Sequence, residues 1–159
     1  MWLELPNFWV ITLNVIGIPF AHVALSIAAT KLPIRYFRSK NAHRSRPVEL
    51  LLHSKVFHTR CWKQLLPDAA PWMGGFSKGK LLNTEPDYLD TFTSETKRGE
   101  LAHWAQIIVI SSFIIWNPWP ANLVILVYAA ISNLPCIINL RFTRIRLQRV
   151  HHQQTNHNV

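Results

Sequence analysis

Long apolar runs alternate with basic and polar stretches along this chain. Residues 8–29 carry no formally charged side chain, and a helix needs about 20 apolar residues to cross a bilayer. This run is therefore predicted to form a first membrane-spanning helix. Glu4 stands where a signal peptide has basic residues, and Lys31 and Leu32 follow the run without a small-residue cleavage pattern. Both features favour a retained helix over a cleaved signal.

Two further apolar runs flank a short aromatic turn. The apolar block at 101–116 is short for a span unless its helix begins near Arg98, so the second predicted span is residues 99–116. The turn at 117–120 reads NPWP, where prolines interrupt a helix and tryptophan favours the lipid headgroup level. Residues 122–140 form the third predicted span. The predicted fold is an all-α multi-pass membrane protein with about three transmembrane helices, one followed by a hairpin.

The polar remainder is predicted to belong to the same single membrane domain, residues 1–159. Residues 31–100 are interpreted as a cytoplasmic segment with an amphipathic helix over 47–66 lying in the membrane interface. Glycines from Gly74 onward predict a loop or re-entrant turn. Residues 141–159 are predicted to form a basic tail, and its last part, HHQQTNHNV (151–159), is predicted to be disordered.

Composition and charge support a membrane protein and give it an orientation. The chain has 159 residues, is 49% hydrophobic and only 16% charged, and has a net charge of +9, which disfavours an ordinary soluble domain. All 17 Lys and Arg residues lie in 31–100 or after residue 140. Because basic residues stay on the cytoplasmic side, we expect the amino end outside and the carboxyl end in the cytoplasm. No recognition motif supports nucleic-acid binding.

Candidate chemistry is concentrated in ETKRGELAHW, residues 95–104. On a helix, Glu95, Glu100 and His103 would lie within an arc of about 140°. Glu100 and His103 are three residues apart, so the carboxylate could orient the imidazole. Glu95 would be about 12 Å away along the axis and would make a separate contact. The alternative is that these residues form a hydrated helix start with paired charges.

An oriented imidazole is a usual general base for a hydroxyl that attacks an activated carbonyl. Acyl transfer also needs a cation or donor for the oxyanion, which Lys97 or Arg98 could supply, and an apolar slot for the acyl chain. No metal site is predicted. Cys61 and Cys136 have no histidine pattern beside them and are predicted to be free thiols.

Three runs resemble the glycosyl-4,4'-diaponeurosporenoate acyltransferase family of bacterial carotenoid biosynthesis. They are WKQLLPDAAPWMGGFSKGKL (62–81), YLDTFTSETKRGELAHW (88–104) and NLPCIINLRFTRIR (133–146). The resemblance implies an enzyme of the bacterial cell membrane that esterifies a sugar hydroxyl of a glycosylated C30 carotenoid acid with a long-chain fatty acyl group. This would be the last step toward a staphyloxanthin-like pigment. No bound cofactor is expected, and an acyl thioester such as acyl-coenzyme A is the expected co-substrate.

The residues matching these motifs give a candidate site. His103 is the hypothesised general base and Glu100 its orienting partner. Glu95 and Asp68 are further candidate acids or bases, and Arg98 or Lys63 a charge stabiliser. The predicted substrate-binding residues are Trp62, Lys63, Arg98, Trp104, Asn133, Arg141 and Arg144. The last three could hold the sugar or a phosphate, or could instead be a hydrogen-bonded helix end with snorkelling arginines.

Two other functions stay open from the sequence. The same machinery could acylate another glycolipid or a lipid alcohol. A non-catalytic membrane scaffold or lipid-binding subunit is the alternative outside enzymes. The expected partners are the lipid bilayer, the glycosyl carotenoid, the fatty acyl donor and a second copy of the chain, because three spans offer little surface to enclose a long polyene.

Overall fold

The computed structural model describes residues 2–38, 72, 74–78 and 81–157. Within these ranges the protein contains helices and no strand. The α-helices are α1 (Asn7–Lys31), α2 (Pro86–Ser111) and α3 (Trp119–His157), and short 3-10 helices cover Ile34–Tyr36 and Ser112–Ile115. The predicted amphipathic helix at 47–66 lies outside the described residues.

Helix α1 covers the first predicted span. It starts after Pro6 and ends at Leu32, which is extended because the following Pro33 disfavours helical backbone at the residue before it. Only Ala21 and Ala29 of this helix are buried. Its large apolar side chains face outward, among them Phe8, Ile11, Val15, Ile16 and Phe20. An apolar face of this extent requires lipid or a partner surface.

The predicted hairpin is formed by α2 and α3. Pro86 occupies the first turn of α2, where its missing N–H costs no hydrogen bond. The helix tightens into a 3-10 turn after Ser111. Helix α3 begins at Trp119, directly after Pro118 and within the NPWP turn. Helices α2 and α3 pack antiparallel along most of their length, and α1 packs against α2.

Among the described residues, two helices are long and apolar enough to cross a bilayer. They are α1 and the Trp119–His151 part of α3, which is consistent with a membrane protein. The third helix, α2, begins well before the predicted span at 99–116 and carries more charged residues. Helix α3 continues to His157, whereas the sequence interpretation ends its span at residue 140 and expects a disordered tail. That expectation of disorder is wrong for the tail as far as His157.

The amino end of the chain lies beside the hairpin turn. The backbone N–H groups of Trp2 and Leu3 donate to the carbonyl of Ile115 at 2.9 and 3.0 Å. The Asn14 and Asn117 side chains form a reciprocal amide pair, with N···O distances of 2.7 and 3.0 Å. Helix α1 therefore runs antiparallel to α2, and the two segments without basic residues share one end of the protein, as the charge distribution predicts.

Two apolar clusters lie at opposite ends of the hairpin. Near the turn, the buried residues are Ile110, Phe113, Ile125 and Ala129. Toward the open end, they are Leu89, Phe92 and Leu147. Between the clusters, α2 and α3 bring together a set of mostly buried or half-buried polar side chains, which we call the polar layer: Glu95, Glu100, His103 and Gln106 of α2, and Asn133, Arg141 and Arg144 of α3. This layer contains the candidate site.

Candidate active site

His103 is held by Asn133 of the facing helix. Nδ1 of His103 lies 2.9 Å from Oδ1 of Asn133. The Asn133 amide is itself oriented, because Nδ2 donates to the Ala129 carbonyl and to Oγ of Ser132, both at 3.0 Å. Since Oδ1 can only accept, Nδ1 of His103 carries a proton, and when the ring is neutral its lone pair lies on Nε2. A neutral imidazole in this tautomer can accept a proton at Nε2.

Glu100 pairs with two arginines of α3. One carboxylate oxygen accepts from Nε of Arg141 at 2.7 Å, and the other accepts from Nη2 of Arg144 at 2.6 Å. The prediction that Glu100 orients His103 is therefore corrected, because Asn133 occupies that position. Two long, flexible cations reach the carboxylate across the helix interface, and their charge-assisted hydrogen bonds are stronger than one to a neutral imidazole.

Glu95 makes a separate contact, as its distance along the helix predicts. Its carboxylate is only 4% exposed and lies 2.8 Å from Nη2 of Arg98, one turn further along α2. Nζ of Lys78 lies 3.5 Å from the same carboxylate. The buried negative charge is thus paired with two cations, which a carboxylate in this environment requires.

The segment after α1 closes against the same part of α2. Nη1 of Arg98 donates to the Leu32 carbonyl at 3.2 Å, and Nζ of Lys97 donates to the Phe37 carbonyl at 3.3 Å. Lys97 lies outside the predicted span. Partial burial, and secondarily the nearby positive charge of Arg144, lower the pKa of the Lys97 amine, while Asp90 opposes the shift. The region around Lys97 therefore disfavours further positive charge.

Gln106 connects the polar layer to α1 and was not predicted from the sequence. Its side chain is 2% exposed, and Nε2 donates to the His22 carbonyl and to Oγ of Ser26, both at 3.0 Å. Its Oε1 atom is buried as well. Gln106 lies three residues after His103 on α2, so α1 fixes a polar group beside the candidate base.

His22 and Tyr128 form a second contact that the sequence did not reveal. The Tyr128 hydroxyl lies 3.4 Å from Nε2 of His22, and the two rings meet edge to face with centroids 6.0 Å apart. Polar side chains from all three helices therefore surround the level of His103. A signal was present in the sequence, because His22 is a polar residue within the first apolar run, where polar groups are costly.

The remaining predicted site residues have different positions. Trp104 is 40% exposed, and Nε1 lies 3.5 Å from a Glu100 oxygen, which is long for a hydrogen bond. Trp62, Lys63 and Asp68 lie outside the described residues, as does Cys61. Cys136 is a free thiol. In the described ranges, no group of three or more His, Cys, Asp or Glu residues could hold a metal ion.

The chain that forms this hairpin resembles known sequences. The profile of the glycosyl-4,4'-diaponeurosporenoate acyltransferase family matches residues 33–153. Proteins with that name from Staphylococcus aureus strains bovine RF122 / ET3-1, MRSA252 and USA300 are each 32% identical to this chain over 137 residues. The aligned regions cover 80% of this chain and 81% of each relative. No solved structure is a significant match.

These findings define the protein first as a helical acyltransferase. More particularly, the chain belongs to the glycosyl-4,4'-diaponeurosporenoate acyltransferase family. The matched residues 33–153 contain all of α2 and most of α3, including every α2 and α3 member of the polar layer. Helix α1, which binds Gln106, precedes the matched region.

Proposed function

We propose that this protein esterifies a sugar hydroxyl of a glycosylated C30 carotenoid acid with a long-chain fatty acyl group taken from an acyl thioester. The hydroxyl oxygen attacks the thioester carbonyl, a C–O bond forms and the C–S bond breaks. The hydroxyl proton passes to His103 and then to the leaving sulfur. The products are the sugar ester and a free thiol, so no oxidant or reductant is required.

The observation that supports this mechanism is the hydrogen bond between His103 and Asn133. An amide acceptor on Nδ1 fixes the tautomer in which Nε2 can take a proton from a hydroxyl. Asn133 is fully buried, so the ring is held by a rigid partner. Arg98 is engaged by Glu95 and the Leu32 carbonyl, which makes Lys63 the better remaining candidate for stabilising the oxyanion. Asp68 keeps its proposed place as a second acid or base.

The bilayer is the proposed setting for this reaction. Helix α1, the apolar half of α2 and the apolar part of α3 would cross it, with the amino end outside and the basic segments in the cytoplasm. Support comes from the outward-facing apolar side chains of α1 and from Trp119, which is 78% exposed beside the turn at a position typical of the headgroup level. Two long apolar substrates would approach through lipid. A second copy of the chain could cover more of the polyene.

The test is pigment analysis by mass spectrometry in a bacterial host that makes the glycosyl carotenoid acid. Three chains are compared at matched membrane levels: intact, His103→Ala, and His157→Ala as a control at the end of α3. We expect the fatty-acyl ester with the intact and control chains, and a loss of roughly 10²- to 10⁴-fold in its rate of formation with His103→Ala. An unchanged rate in His103→Ala would reject the base. No ester with the intact chain would reject this acceptor.

A further inference from the structure

The open end of the hairpin carries more positive than negative charge. Five basic side chains and three acidic ones lie on residues 90–100 of α2 and 141–144 of α3 or, for Lys78, against them. The basic residues are Lys78, Lys97, Arg98, Arg141 and Arg144, and the acidic residues are Asp90, Glu95 and Glu100. An excess of partly buried positive charge is costly without an anion. The region therefore has the electrostatics of an anion-binding site.

The excess is concentrated around a carboxylate that two arginines share. Glu100 neutralises one charge of the pair formed by Arg141 and Arg144. Lys97 adds a third cation, three residues before Glu100 and so on the same side of α2. Glu100 also orients both guanidinium groups, because each donates to a different carboxylate oxygen. With respect to the described residues, this arrangement leaves further N–H donors on both arginines, in the planar geometry that suits a phosphate.

Exposure separates the two arginines into an outer and an inner group. The Arg141 side chain is 48% exposed, whereas that of Arg144 is 19% exposed. A water-soluble anion can therefore reach Arg141 from solution or the headgroup region. Arg144 lies deeper between the helices, so an anion that bridges both loses part of its hydration and gains two charged donors.

Arg141 and Arg144 lie on the open-end side of His103, so a donor held by them can extend toward the candidate base. Asn133 marks the level of His103, and Arg141 and Arg144 lie about 12 and 16 Å further along α3 at 1.5 Å per residue. Glu100 lies only about 4.5 Å from His103 along α2, so the arginine side chains reach back toward the candidate base. A phosphate held here can deliver a thioester on a flexible chain to His103.

We propose that Arg141, Arg144 and Lys97 bind the phosphate of the acyl donor, and that this donor is a phosphate-bearing acyl thioester. The inference rests on the proposed acyl transfer for its purpose, but donor binding can be measured without any acceptor. A lipid headgroup presents the same phosphate chemistry, so the experiment must separate a soluble donor from the bilayer.

The experiment measures binding of two unreactive donor analogues to the intact chain in phosphatidylcholine nanodiscs. One is S-hexadecyl-coenzyme A, and the other is S-hexadecyl-pantetheine, which lacks every phosphate. We expect the intact chain to bind the first about 10- to 100-fold more tightly, since charged hydrogen bonds of this kind contribute such factors. Arg141→Gln and Arg144→Gln should each remove most of this preference without weakening the phosphate-free analogue.

Two variants serve as controls for charge and folding. Arg146→Gln removes a cation from the same helix, where the guanidinium lies over the Phe142 ring, and should keep the preference. Arg144→Lys retains the positive charge and should keep part of the preference for the coenzyme A analogue. It serves as the test at this position if Arg144→Gln proves unstable. Equal affinities of the intact chain for both analogues would overturn the proposal.

The lipid alternative predicts a different pattern. If the arginines bind headgroups, phosphatidylglycerol should bind to the intact chain in preference to phosphatidylcholine, and the preference for the coenzyme A analogue should be absent in both lipids. That result would also overturn the proposal. Because none of these measurements uses the carotenoid acceptor, a wrong acceptor would leave the binding preference intact while abolishing ester formation.

Discussion

Nδ1 of His103 and Oδ1 of Asn133 lie 2.9 Å apart, although the residues are 30 positions apart in the chain. The contact joins α2 to α3 in the middle of the hairpin. It gives the candidate base a fixed tautomer and ties that base to the packing of two helices. Chemistry and folding are therefore coupled at this contact.

The first prediction concerns Asn133. Asn133→Ala removes the acceptor of Nδ1 and should lower the turnover rate roughly 10- to 100-fold, the range found when the outer partner of a functional histidine is removed. Asn133→Asp keeps an acceptor oxygen and should retain more activity than Asn133→Ala. Initial rates at saturating donor, on equal amounts of purified enzyme, test both variants. Equal rates for Asn133→Ala and the intact chain would show that the contact is only structural.

The second prediction concerns Glu100. Glu100→Gln leaves Arg141 and Arg144 without their shared negative charge and should lower the free energy of unfolding by about 1.5–3 kcal/mol, toward the lower end because Arg141 is half exposed. Thermal unfolding in detergent, followed by circular dichroism, measures the change. Asp87→Asn, near the start of α2, is the matched control and should have a small effect. A stability equal to that of the intact chain would mean that solvent screens the pair.

The third prediction concerns Gln106. Gln106→Leu removes both hydrogen bonds to α1 and should weaken the docking of that helix by about 1 kcal/mol, a typical value for polar contacts between membrane helices. Thermal unfolding in detergent, followed by circular dichroism, can report the docking, with a lower transition temperature in the variant. Ile108→Leu, at a position 68% exposed, should leave it unchanged. Identical transition temperatures for Gln106→Leu and the intact chain would show that these hydrogen bonds do not stabilise the docking of α1.

The fourth prediction concerns Gly17. A Cβ built on Gly17 would lie 3.1 Å from a carbon of the Phe113 ring, so even alanine requires the ring to shift. Gly17→Leu should separate α1 from the hairpin and reduce the yield of folded protein, whereas Val15→Leu on the exposed face should not. Fluorescence-detected size exclusion can compare the yields. Replacing the Phe113 ring by the smaller leucine in the double variant Gly17→Ala/Phe113→Leu should restore any yield lost in Gly17→Ala alone. A yield that stays low would point to a cause other than this contact.

Much of the fold could be predicted because hydrophobic length and proline position act locally. The apolar run at 8–29 predicts α1, and the NPWP turn at 117–120 predicts the hairpin. Counting outward from Pro118 also gives the register, since His103 and Asn133 are both fifteen residues from it. Leu89 and Leu147 are both twenty-nine residues away and share one apolar cluster. Equal spacing from Pro118 therefore predicts that His103 and Asn133 lie opposite each other. The spacing of three residues on α2 favoured Glu100 as the partner of His103 instead.

The rest of the site depends on packing that the sequence does not report. Glu100 and His103 are neighbours on α2. Their partners come from the facing helix α3, where arginines pair with the Glu100 carboxylate and the Asn133 amide binds the His103 imidazole. Gln106 reaches α1 because α1 docks on α2, and no local pattern predicts that docking. The end of α3 was missed for another reason, since a polar composition alone does not prevent a helix from continuing to His157.

The pairing of Glu100 with Arg141 also sets an order for biogenesis. The two residues are separated by 41 positions, with the aromatic turn between them. Glu100 is therefore synthesised before either arginine, and it cannot form these ion pairs until α3 has been made and has folded back. Burial of Glu100 must follow completion of the hairpin. A nascent chain stalled before residue 141 should consequently keep this end of α2 in water, and only full-length synthesis would allow it to pack.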